Sequence, residues 1–174
     1  VLDREIASET VDIWAMSLQN DGLLRDTKNL ELLRLLRRDP RAAIADLARG
    51  IAMSAPAVRE RVQRLEDAGV ITGTSLGLDP AALGYPVLAF VRVRPAPGQL
   101  NKIIDLAKRT PQVIECHRVT GEDCFVLKLR VAAIDRLDDV LDRFLAFGQT
   151  TTSIVQSTPV PPRELPLPDE AQAR

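Results

Sequence analysis

The apolar period of this chain changes once, around Asp79-Pro80-Ala81-Ala82-Leu83-Gly84, and that change restricts the fold to two units of different kind. Before it, apolar residues recur at helical spacing in short blocks. After it, alternating runs that suit half-buried strands take turns with helical blocks. At 174 residues the chain has room for two small domains.

The first unit reads as three helices. Residues 26–38 place Leu32, Leu33, Leu35 and Leu36 along a helix that Asp39-Pro40 ends, and residues 43–50 form a shorter one with Ile44, Leu47 and Ala48 inward, closed by Gly50. Ser54 then stands as an N-cap, Pro56 falls in the first turn, where a missing N–H costs nothing, and the third helix runs from Ala57 to Ala68 with Gly69 as its stop. A tight turn between the second and third helices makes a helix-turn-helix. Val70-Ile71-Thr72 and Ser75–Leu78, on either side of Gly73, are expected to form a small β-wing.

Rotating the third helix by 100° per residue gathers Val58, Val62 and Leu65 on one side, which must face the other helices. The opposite side presents Pro56, Glu60, Gln63 and Arg64, with Arg59 at one edge and Arg61 near the buried seam, within reach of a phosphate. Such a helix reads base edges in the major groove: arginine suits guanine, glutamine adenine, and glutamate the cytosine amine. Residues 34–64 carry eight arginines against three acids, a local charge of +5, whereas the whole chain has a net charge of −1. Coating of nucleic acid by bulk charge is thereby excluded, and site-directed binding is favoured. An arginine-rich helix face is ordinarily just solvated. Here it comes with the capping serine, early proline and closing glycine of a recognition helix. The expected DNA contacts are Ser54, Pro56, Ala57, Arg59, Glu60, Arg61, Gln63 and Arg64, with Arg41 and Arg49 outside that helix.

After the junction the pattern reads strand Pro86–Arg94, helix Leu100–Arg109, strand Val113–Val119, turn Gly121-Glu122-Asp123, strand Cys124–Val131, helix Ile134–Phe147 and strand Gln149–Ser157. The order βαββαβ is the ferredoxin-like arrangement. The fold class is therefore α+β, an N-terminal winged helix-turn-helix followed by a ferredoxin-like domain. Expected boundaries are a leader at 1–24 with one possible short helix ended at Asn20-Asp21-Gly22, the DNA-binding unit at 25–78, a linker at 79–85, the second domain at 86–157, and a proline-rich tail at 158–174. Strand parity sends Phe125, Leu127, Leu129 and Val131 to the helices and Cys124, Val126, Lys128 and Arg130 to a face that both helices leave open. That open face predicts at least a dimer.

Asp46-Leu47-Ala48, Met53-Ser54, Val58, Arg61-Val62, Arg64-Leu65-Glu66 and Gly69-Val70-Ile71, followed by Leu78-Asp79-Pro80, Leu83-Gly84 and Thr120-Gly121-Glu122, resemble the leucine-responsive regulator/AsnC family of transcription regulators. The resemblance runs from about Asp26 to about Gln156, with Asn29 where the family usually has aspartate. It implies sheet-to-sheet dimers, assembly of four dimers into discs, and amino-acid effectors bound between dimers near the turn at Gly121. The expected effector residues are Thr120, Gly121, Glu122, Asp123 and Cys124, the last standing where the family usually has aspartate. The residues themselves allow this chemistry: a backbone nest at Gly121 suits a carboxylate and Glu122 or Asp123 an ammonium, although a plain polar hairpin turn fits as well.

Catalytic, metal and cofactor sites are not expected. His117 is the only histidine, and Cys116 beside it points to the opposite strand face. The two cysteines, Cys116 and Cys124, read as buried inert thiols, with a redox pair across the hairpin as the alternative. With no export signal and no apolar run near ~20 residues, the expected partners are double-stranded DNA, other copies of the chain and a small effector, in the cytoplasm and without a membrane. Two rival functions stay open. One is an architectural, ligand-blind DNA binder. The other is a siroheme-decarboxylase-like enzyme of similar architecture, which a single histidine and few aromatics disfavour.

Overall fold

The structure, a computed structural model, describes residues 22–171. The expected leader helix therefore lies almost wholly outside the described residues; Gly22, read as part of its stop, sits in helical backbone at 22–25. The described chain divides into two compact units. One contains the described residues up to Leu76 together with those from Glu164 onward, and the other contains Gly77–Arg163.

In the first unit α1 spans Thr27–Arg38, α2 Ile44–Gly50 and α3 Ala55–Asp67. Asp26 caps α1 through its side chain, which accepts from the Lys28 N–H at 2.8 Å. Leu32, Leu33, Leu47, Ala48, Ile51, Val58 and Leu65 form the core, so each helix buries the stripe its sequence period marks out. At the end of α2 the chain departs from expectation. Gly50 is the last helical residue, not the left-handed stop, and the positive φ of +54° falls on Ala52. A Cβ at Gly50 would lie 2.6 Å from Leu35 Cδ1, the end of a flexible side chain that would have to move aside. Gly69 does take the stop position, with φ +69° and its N–H donating to the Glu66 carbonyl at 2.9 Å.

The wing strands expected at 70–72 and 75–78 are not formed; residues 72–79 carry no ladder, and Leu76 and Leu78 are exposed. A two-stranded ribbon without a third strand or a helix beneath it is marginal in water, and Gly73 and Gly77 stiffen it little. The wing is an extended loop.

The second unit is a four-stranded antiparallel sheet in the order β2-β3-β1-β4, with β1 at Val87–Pro95, β2 at Val113–Arg118, β3 at Phe125–Val131 and β4 at Gly148–Ile154. The crossover helices α4, Leu100–Lys108, and α5, Asp135–Leu145, complete the ferredoxin-like fold. Ala89, Val91 and Val93 of β1 and Phe125, Leu127, Leu129 and Val131 of β3 are buried with Ile103, Leu106, Val140 and Phe144 from the helices. Leu145, expected inward, is exposed; it lies about 80° around the helix from Leu137, on the side away from Val140 and Phe144. On the other sheet face Phe90 is 40% exposed in register with Lys128, and Arg92 stands opposite Val126. A final helical turn, α6 at Pro168–Ala171, belongs to the first unit.

Candidate nucleic-acid interface

Two buried residues of α3, Val58 and Leu65, anchor the helix and thereby decide what its other side presents. Ser54, Pro56, Arg59, Glu60, Gln63 and Arg64 are all exposed, and Ala57 is half-buried. Ser54 is the N-cap, its hydroxyl accepting from the Ala57 N–H at a long 3.4 Å. Across the helix surface Gln63 Nε2 donates to Asp67 Oδ1 at 2.9 Å, and Arg64 lies 3.8 Å from Glu60. Both contacts are solvent-exposed, and exposed pairs of this kind hold side chains only weakly. The face therefore offers two guanidiniums, an amide and a carboxylate along its length, the donor and acceptor mixture that base edges require.

Arg61 has a different place from the one expected. Its Nη1 donates to Asp26 Oδ2 at 2.5 Å and to Asn29 Oδ1 at 2.7 Å, and its side chain is only 20% exposed. Asn29 is buried and passes its own Nδ2–H to the Leu23 carbonyl at 2.9 Å. The guanidinium hydrogen-bonded to Asp26 holds that carboxyl below its ordinary value, against a smaller opposing push from burial. Arg61 thus ties α3 to the start of α1. Nη1 meets a carboxylate and an amide oxygen already in place, so a phosphate would have to compete for it.

Arg49 is exposed beside Asp46, one helical turn away, with which it forms an ion pair. Arg41 is exposed and enters no ion pair among the described residues. It borders an open cleft of about 380 Å³ with Asp39, Pro40, Thr74, Ser75 and Leu76, which brings the α1–α2 turn beside the wing loop. Thr74 and Ser75 were not singled out from the sequence. Hydroxyls next to a glycine were a signal for them, but only folding sets them beside Arg41.

In the second unit the turn after β2 has Gly121 at φ +113°, with nothing beyond its chain neighbours within 4 Å of where a Cβ would sit. The Val119 N–H donates to the Cys124 carbonyl at 2.9 Å and closes the turn, and Thr120 is exposed. Glu122 and Asp123 already have cationic partners. Glu122 pairs with Arg94 Nη2 at 2.5 Å, while Asp123 lies 3.5 Å from Arg94 Nε and 3.8 Å from Arg92 Nε. Those arginines were overlooked, although their spacing in β1 puts both on the open face. Cys124 Sγ rests 3.8 Å from the Glu122 carbonyl. Cys116 is exposed, not buried, because it stands on the edge strand; both thiols are free. No group of three or more histidine, cysteine or acidic residues able to hold a metal occurs among the described residues, and no described helix is long and apolar enough to cross a membrane.

Comparison with known proteins converges on one family. Residues 25–72 match the model described as winged helix-turn-helix DNA-binding, and residues 88–165 match the Lrp/AsnC ligand binding domain. The chain is 34% identical over 133 residues to the HTH-type transcriptional regulator YezC of Bacillus subtilis, covering 76% of this chain and 94% of that one. It is 36% identical over 130 residues to the HTH-type transcriptional regulator LrpA of Mycobacterium tuberculosis, covering 73% and 87%. Among solved structures, the feast or famine regulatory protein of M. tuberculosis complexed with L-methionine aligns with a TM-score of 0.74 at 34% identity, over 82% of this chain and 99% of that one. With an exposed recognition helix in one unit, a ferredoxin-like sheet in the other and relatives matched across both, the chain is a DNA-binding transcription regulator, not an enzyme, and it belongs to the Lrp/AsnC family.

Proposed function

We propose that the chain regulates transcription by sequence-specific binding of its α3 to the major groove, and that a small amino acid or related metabolite bound around the Gly121 turn changes its assembly or its affinity for DNA. The observation that carries the first half is the exposed face of Arg59, Glu60, Gln63 and Arg64 on a helix capped by Ser54. Arg41, with Thr74 and Ser75 nearby, suits the phosphate backbone. Such a regulator works where the DNA is, in the cytoplasm.

The effector half is supported by a relative at 34% identity that holds L-methionine, and by the positive φ of Gly121. The ion pairs to Arg92 and Arg94 change the chemistry this site offers. An effector ammonium must compete with guanidinium for Glu122 and Asp123, and an effector carboxylate has two arginines within the same cluster. Because coupling is reciprocal, an effector that weakens DNA binding must bind the DNA complex less tightly by the same factor. Calorimetry with each common amino acid, with and without operator DNA, tests this reading. Heat or a change of assembly with one of them is expected; silence from all would leave a ligand-blind DNA binder.

A further inference from the structure

The proline-rich end of the chain is not a free tail. Residues from Glu164 onward belong to the same compact unit as the three helices, although Gly77–Arg163 lies between them in sequence. Leu167 packs, half-buried, against the apolar core of that unit. On either side of it two carboxylates meet α1: Glu164 pairs with Arg37, and Asp169 with Arg34. The order of the pairs is inverted, so the segment runs antiparallel to α1. Pro166 and Pro168 flank the leucine and limit the conformations it can take when undocked, which lowers the entropic cost of docking.

We propose that residues 164–171 form a detachable acidic strap, which occupies Arg34 and Arg37 with carboxylates and thereby holds back the DNA affinity of the unit it docks on. Carboxylate oxygens accept from a guanidinium in the same way phosphate oxygens do, so the docked strap and a nucleic-acid backbone compete for the same donors. The competition is consequential because other arginines of the unit are also engaged, Arg61 by Asp26 and Arg49 by Asp46. Among the described contacts, two exposed ion pairs and one half-buried leucine hold the strap, contacts of the kind that open locally while the rest stays folded. The chain passes between the two units at Leu76–Gly77 and again at Arg163–Glu164, so the strap is also a second covalent route from the ferredoxin-like unit to the helices.

The inference rests on the DNA-binding reading above, and the test separates the two. Binding of the full chain to a random-sequence duplex is measured from about 50 to 200 mM salt, for the parent, for Glu164→Gln/Asp169→Asn and for Leu167→Asp. Taking these two carboxylates off Arg34 and Arg37 should steepen the log–log salt slope by up to roughly 2 and tighten binding roughly ten-fold at the low-salt end. Both variants should move the same way. If Leu167→Asp disturbs the core and loses its melting transition, the charge variant decides alone, since it leaves Leu167 in place. A parent that binds duplex with variants of equal or weaker affinity and unchanged slope overturns the strap. A parent that fails to bind duplex overturns the DNA reading as well.

Discussion

Arg61 of α3 donates to Asp26, the N-cap of α1, at 2.5 Å, and the same guanidinium nitrogen donates to buried Asn29 at 2.7 Å. One side chain thus fixes how the recognition helix leans on the first helix. Arg61→Ala should leave the Asn29 side-chain oxygen Oδ1 without its partner in a buried residue and cost on the order of 1–3 kcal/mol of stability. Chemical denaturation of the helix-turn-helix unit within the full chain reads it. Loss of DNA binding without loss of stability would instead mark Arg61 as a DNA contact.

Acid should loosen the same link. Asp26 ionises more readily in the folded chain than its ordinary value of 3.8 allows, chiefly because of the hydrogen bond from Arg61. Its stabilising contribution is therefore full above that ordinary value and is lost as pH falls through the lower folded one. Asp26→Asn keeps a good cap but removes the charge. Its melting temperature should start below the parent's at neutral pH and converge with it under acid. Parallel curves would refute the linkage.

If α3 enters the major groove as proposed, different residues contact bases and backbone. Arg64→Ala, Gln63→Ala and Arg59→Ala should each lose roughly 1–3 kcal/mol of discrimination at particular base pairs. Arg41→Ala should weaken all sequences alike and reduce the salt slope by roughly 1. Binding-site selection with each variant distinguishes the two classes.

The turn between α2 and α3 holds a strained alanine. Ala52 at φ +54° occupies a region that costs an L-residue roughly 1–2 kcal/mol. Ala52→Gly relieves that strain but adds freedom to the unfolded chain, so a net gain on the order of 0.5 kcal/mol is expected. A lower melting temperature would contradict the backbone geometry.

At Gly121 conformation matters and space does not. With φ +113° and open space where a Cβ would sit, Gly121→Val should distort the turn and detach Glu122 and Asp123 from Arg94 and Arg92. Effector response and higher assembly should both fall while the helices of the first unit stay folded. Light scattering and DNA binding with and without effector report the two effects, and normal behaviour in both would remove this turn from the sensing mechanism.

The open sheet face carries the assembly expectation. Phe90→Glu places a charge in the centre of that face, beside Lys128 and Arg92, and leaves the buried side untouched. If copies pair there, light scattering should show the parent as a dimer or larger and the variant shifted toward ~19 kDa. A parent that is already a monomer at micromolar concentration would end the proposal.

What the sequence determined by itself was most of what local period and local caps set, with Gly50 and Leu145 as the exceptions. Val58 and Leu65 go inward, Ser54 and Gly69 bound the recognition helix, and Phe125 to Val131 alternate between core and open face, because 3.6- and 2-residue periods and first-turn N–H groups are properties of a few neighbouring residues. Tertiary structure alone decided where each charge finds its partner. Arg61 finds Asp26, Arg94 finds Glu122, and Arg37 finds Glu164 across 127 positions of chain. Only the packed fold brings such groups within a few ångströms, and any phosphate or ammonium must then compete with the partner already in place. The wing failed for the complementary reason: its sequence suits strands, but a strand exists only through a neighbour, and residues 72–79 have none in the described chain.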